Sequence, residues 1–186
     1  MVTMGFEFIA DRPALDFVAT VAERGTTDEE KLQTPADLLD WARQSGVVDD
    51  LTAAAPDELE HAQAVRDAIF RLIAAMINDT QPESADTTTV NRAASHPRPV
   101  LRLDNDGRIR RTGGLDALLA ELAADCLDLF ASADRASLHW CADRACTRPF
   151  IDRSRGQRRR WCGMKGCGDR AKAAAYRHRQ RQAAQS

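Results

Sequence analysis

The fold is decided by Cys141-Ala142-Asp143-Arg144-Ala145-Cys146, then fifteen residues, then Cys162-Gly163-Met164-Lys165-Gly166-Cys167. Two C-x4-C pairs joined by a segment long enough to double back are what a tetrahedral four-cysteine zinc site requires. Each pair wraps one side of the ion, and the chain between them returns to it. Four thiolates leave no open coordination position, so a structural zinc fits better than a catalytic one, and a redox pair would favour C-x-x-C. Iron–sulfur ligation uses the same ligand set and is the chemical rival. The surrounding arginines and the helix expected after Cys167 favour a zinc finger. A segment of about 45 residues rarely stands on an apolar core alone. The metal is therefore expected to supply folding free energy, about 10–16 kcal/mol in comparable structural sites, and this end of the chain to melt without it.

Around the ligands, Trp140, Phe150 and Trp161 are expected to cover the metal as a miniature core. Gly156 suits the turn of a hairpin in Ile151-Asp152-Arg153-Ser154-Arg155-Gly156-Gln157-Arg158-Arg159-Arg160. That hairpin would carry Arg153, Arg155, Arg158, Arg159 and Arg160 on its arms and tip. After Cys167 the Ala- and Arg-rich sequence predicts a helix, with Asp169 near the positive end of its dipole. Arg170, Ala174, Arg177 and Arg181 recur along one ridge of it, and Lys172 and Arg179 add to the basic surface. Knuckle, hairpin and helix in that order describe a treble-clef-like finger. His139, next to Trp140 and Cys141, is the alternative ligand.

Working outward, the charge divides sharply. Residues 135–186 hold 14 basic and 3 acidic side chains, a net +11, whereas residues 1–134 hold 12 basic and 25 acidic, a net −13. The overall −2 hides this split, which points to a nucleic-acid-binding appendage on an acidic body. Opposite charges within a Debye length attract, so the body is expected to contact the finger and to suppress its binding until a signal separates them. Apolar runs fall far short of the roughly 20 residues that cross a bilayer, so no membrane partner is expected. The opening Met1–Pro13 does not resemble a secretion signal. The expected location is the cytoplasm, where cysteines stay reduced.

The acidic part reads as mostly helical. Phe6, Phe8 and Ile9 alternate like a short strand before a helix opening at Pro13. Thr34 as N-cap, Pro35 at the first position and Gly46 just past the end delimit a second helix. Leu59, Ala62, Val65, Ile69, Leu72, Ile73 and Met76 form the core stripe of a long third. A short helix is expected around Val90. Strands near 99–103 and 108–112 flank Asn105-Asp106-Gly107, a hairpin signal. Leu115 to Phe130 marks another amphipathic helix, with Cys126 as a buried structural thiol. Asp16, inside an apolar run, is expected to cap a helix or anchor hydrogen bonds. No phosphate loop, nucleophile elbow or H-E-x-x-H is present, so no enzyme activity is expected.

Phe150-Ile151-Asp152-Arg153-Ser154, Arg160-Trp161-Cys162 and Cys167-Gly168-Asp169-Arg170, together with the first cysteine pair, resemble the CGNR zinc-finger family. Upstream, Pro13-Ala14-Leu15-Asp16-Phe17-Val18 and Pro35-Ala36-Asp37-Leu38 look like the ABATE domain that accompanies this finger. The resemblance implies a bacterial, stress-induced, zinc-dependent transcription regulator that binds DNA. Two positions depart from the family pattern: Asp169 stands where it has Asn, and Ala19 where it often has Asn. The fold expected is α+β and predominantly α. A helical N-terminal domain with a β-hairpin occupies 1–134, and a treble-clef-like four-cysteine finger occupies 135–186. Zinc at Cys141, Cys146, Cys162 and Cys167 and duplex DNA on the Arg loop and basic helix form the leading reading. An RNA- or ribosome-associated factor and a zinc-scaffolded protein-interaction module remain open, and no small-molecule ligand of the N-terminal domain can be named.

Overall fold

Local start and stop chemistry sets most of the helices in the computed structural model, which describes residues 5–183. α1 (Pro13–Val18) opens on proline, and its Ala14 amide donates to Asp125 Oδ2 at 2.9 Å, a cap supplied from elsewhere in the chain. α2 (Pro35–Ser45) has a complete capping box. Asp37 N–H donates to Thr34 Oγ1, and Thr34 N–H donates to Asp37 Oδ2 at 2.8 Å. It ends at Gly46 with φ of 67°, the left-handed conformation that glycine adopts without steric cost. α3 (Pro56–Ile77), α4 (Ser84–Ala94) and α5 (Leu115–Ala131) follow the apolar periodicity.

α1, α3, α4 and α5 pack together, and α2 lies on α3. Phe17 and Trp41, both fully buried, meet with ring centroids 4.8 Å apart. Polar links pin the layers. Arg71 forks onto Asp86 to hold α4 on α3. The buried Arg66 guanidinium donates to Glu30 Oε1 at 2.7 Å and to Asp67 Oδ1 at 3.1 Å. Cys126 is fully buried, and burial pushes its thiol up to about 12, so it is a packing group rather than a nucleophile.

Two short strands, β1 (Val21–Ala22) and β2 (Glu29–Glu30), pair antiparallel. β3 (Val100–Leu103) and β4 (Ile109–Thr112) form the expected hairpin around Gly107 at φ of 80°. Its strands lie largely on the surface, and the Asp49 amide donates to Arg111 O on the far side of β4 at 2.8 Å. The segment expected as a strand at Phe6–Ile9 forms none, because no strand lies beside it. Instead the amides of Ile9 and Ala10 both donate to Asp16 Oδ1 at 3.0 Å, the anchoring role expected for that acid.

After a 3-10 turn (Ala133–Ser137), β5 (Leu138–Trp140) and β6 (Pro149–Ile151) pair antiparallel, and α6 (Asp169–Ala183) closes the described chain. Leu138 and Ile151 belong to the same apolar core as the helices, so the finger is rooted in the body. The expected hairpin turning at Gly156 is not there. Residues 152–161 form a loop, and the hairpin of the finger is β5–β6. The cause is Asp152, only 2% exposed, whose carboxylate accepts from the amides of Ser154 and Arg159 and curls the chain.

Candidate metal centre and basic face

The β5–β6 hairpin presents the first cysteine pair. Cys141 N–H extends the ladder to Arg148 O at 3.0 Å, and Cys146 N–H donates to Asp143 O at 2.9 Å, closing the knuckle between the strands. The second pair comes back to it through Ala142 N–H on Arg160 O at 2.7 Å and Cys162 N–H on Cys141 Sγ at 3.5 Å. A turn at Met164–Gly168, with Gly166 at φ of 89°, brings Cys167 to the start of α6. The four Sγ atoms lie within 4.8 Å of one another.

That geometry suits a single ion. A tetrahedron with sulfur about 2.3 Å from zinc has edges of about 3.8 Å, and here Cys146–Cys162 is 3.7 Å and Cys162–Cys167 is 3.8 Å. A multi-iron cluster would hold its thiolates on separate irons, farther apart. The electrostatics also call for a cation. Hydrogen bonds from the Cys146 and Cys162 thiols push Cys141 well below the usual thiol range. Hydrogen bonding to Cys141 pushes Cys146 and Cys162 up, and burial pushes Cys167 up to about 12. Only a metal lets all four become thiolates together. The four cysteines can hold one zinc ion. His139 is exposed and lies outside the ligand group.

Phe150 is fully buried against the cysteines, and Trp161 covers them from a half-buried position. Trp140 does not join them as expected. It packs on Phe70 of α3 at 5.8 Å, and its Nε1–H donates to Asn78 Oδ1 at 3.2 Å, so tertiary contact with the body wins over the finger core.

The arginines divide into two groups. Arg159 turns inward. Its guanidinium donates to the carbonyls of Trp161 at 2.9 Å, Ile9 at 3.1 Å and Cys162, and lies 4.7 Å from the Phe150 ring centre. Arg170 is exposed but bound to the metal site, donating to Cys167 Sγ at 3.1 Å and to Asp143 Oδ2 at 2.9 Å, which ties the second cysteine pair to the first. Neither role is visible from spacing; the only sequence signal was their closeness to ligands. Arg153 is exposed and bonds Asp134 at 2.8 Å. Arg155, Arg158 and Arg160 are exposed on the loop, and Lys172, Arg177, Arg179 and Arg181 are exposed on α6. The side chain of His178 lies outside the described residues.

A groove of about 740 Å³ runs between the first knuckle, Arg160-Trp161 and α6, with Arg144, Lys172 and Arg177 among its walls. Sequence reasoning did not single out Arg144; its place in the knuckle loop was the available clue. The acidic body meets the finger through Glu7–Arg148, Asp134–Arg153 and Asp11–Arg159. Among the described residues, no ion pair joins the body to α6; Arg170 pairs with Asp143 and Lys172 with Asp169. No described helix is long and apolar enough to cross a membrane.

No curated protein matches the sequence. Residues 137–180 match the CGNR zinc finger, and residues 11–133 match ABATE, described as "Putative stress-induced transcription regulator". With about two thirds of its length inside the second match and the finger directly after it, the chain belongs to the ABATE family and ends in a CGNR zinc finger.

Proposed function

We propose that this protein is a cytoplasmic, stress-responsive transcription regulator, not an enzyme, whose zinc-ordered finger binds duplex DNA. The observation that carries the reading is α6. From Lys172 to Arg181 its described side chains are exposed, and the helix packs chiefly on the turn before it. A 15-residue helix is about 22 Å long, and the B-DNA major groove, about 12 Å wide, admits one. Lys172, Arg177, Arg179 and Arg181 supply phosphate or base contacts from the helix. Arg155, Arg158 and Arg160 reach the backbone from the loop. Most such contacts position the protein, and base readout falls to Arg177 if the helix enters the groove. Arg159, turned inward, positions the loop, and Arg170, tied to Asp143 and Cys167, positions the helix.

The RNA reading is favoured by one observation: Tyr176 is 58% exposed in the middle of the basic helix, where it can stack on an unpaired base. A salt-series titration of the zinc-loaded full chain on labelled duplex DNA, with single-stranded RNA as competitor, tests both. Binding that falls with a log–log slope of about 0.9 per phosphate contact and resists RNA supports the DNA reading. Failure to bind duplex at any salt rejects it, and easy displacement by RNA transfers the function to RNA.

A further inference from the structure

Between the body and the finger lies a second cleft, of about 500 Å³, beside the first cysteine pair, with no described residue of α6 or of the 152–161 loop in its lining. Its size is within the roughly 300–1,000 Å³ of small-molecule sites. Phe70 of α3 contributes an aromatic wall, and Trp140 of β5 meets it at 54°. The Arg24 guanidinium, from the β1–β2 loop, lies 4.2 Å from the Phe70 ring centre. Indole and guanidinium both offer flat surfaces on which a planar group stacks.

The polar part of the lining is biased toward cations. Asp143 is the acid there, and Arg170 already neutralises it at 2.7 Å. Arg144 is exposed at the rim, and no ion pair engages it among the described residues. Arg24 is paired with Asp67 at 2.9 Å, yet its buried Nε has no hydrogen-bond partner. We propose that this cleft binds a small aromatic carboxylate, its ring against Trp140 and Phe70 and its carboxylate on Arg144. Arg24 N–H donates to Thr147 Oγ1 at 2.8 Å, one residue beyond Cys146, and Cys141 and Cys146 also line the cleft. An occupant therefore touches the body loop and the first cysteine pair together, which links its binding to how the finger is held. The proposal stands on the cleft and not on the nucleic-acid reading.

The test uses zinc-loaded full chain and 2-naphthoate as probe, read by NMR at the indole N–H signals of the three tryptophans. The expected result is a saturable shift of the Trp140 signal, with 2-naphthylmethanol binding about thirtyfold more weakly, the value of one charge-assisted hydrogen bond. Arg144→Gln is expected to abolish that preference while leaving the alcohol's affinity unchanged. The proposal is overturned by an unmoved Trp140 signal, by equal affinity for acid and alcohol, or by a shift confined to Trp161, which would place the anion in the basic groove.

Discussion

Arg170 donates to Cys167 Sγ at 3.1 Å from one turn further along the chain, and the same guanidinium grips Asp143 beside the opposite cysteine pair. A zinc tetrathiolate is formally −2, so a cation hydrogen-bonded to a ligand sulfur stabilises the loaded state, and the Asp143 link fixes the two pairs in register. Arg170→Gln is expected to lower zinc affinity by about 10–100-fold in chelator competition. Arg177→Gln, the same charge change farther along α6, is expected to leave it unaltered. Equal losses in both variants would show that only net charge matters.

Zinc removal should reach beyond the finger. The cysteine cluster is too small to hold its own apolar core, yet Leu138 and Ile151 on β5 and β6 are buried with the helices. Chelation is expected to abolish amide-exchange protection in β5, β6 and α6. In α3 protection should persist but weaken, because the core loses two side chains. Unchanged protection of β5 and β6 after complete chelation would mean that the body alone holds the hairpin.

Asp16 provides a pH signature in the body. Burial pushes its carboxyl up from 3.8 to about 6, against the two amide hydrogen bonds that favour the charged form. A folded pKa above the unfolded one means that the group favours folding below about pH 4, and that this contribution is lost as pH rises through about 6. At pH 7 the ionised group is therefore a cost. Asp16→Asn, whose carbonyl can still accept from Ile9 and Ala10, is expected to raise stability relative to the parent at pH 7 and to lose that advantage progressively as pH falls from about 6 to below about 4. The Ile9 and Ala10 amide signals should titrate with a midpoint near 6 in the parent. A midpoint near 4 would show that the amide bonds outweigh burial.

What was legible in the sequence was local chemistry. Thr34, Asp37 and Gly46 delimit α2 because a capping box and a left-handed glycine act within a few residues. The cysteine spacing shows the metal centre because knuckle geometry is also local. The errors are long-range. Nothing near Trp140 in sequence shows that Phe70 will compete for its ring. Gly156 does make a turn, at φ of 82°, but a hairpin needs its arms to pair, and Asp152 has taken the amides of Ser154 and Arg159. Among the loop arginines, type and spacing are alike; only burial distinguishes the ones facing outward from the one facing in.

That distinction separates two neighbours. Arg158 is exposed, whereas Arg159 has a 26% exposed side chain whose planar fork serves several carbonyls at once. Lysine preserves charge but cannot reproduce that fork. Arg159→Lys is therefore expected to cost about 2 kcal/mol of stability, the value of one charge-assisted hydrogen bond lost in a buried setting, with the salt slope of DNA binding unchanged. Arg158→Gln should leave the melting temperature in place and reduce that slope by about 1, the mark of a phosphate contact. Thermal unfolding and the salt series together read both variants. If Arg159→Lys instead lowers the slope without loss of stability, then its guanidinium leaves the carbonyls to meet the nucleic acid, and the loop rearranges on binding.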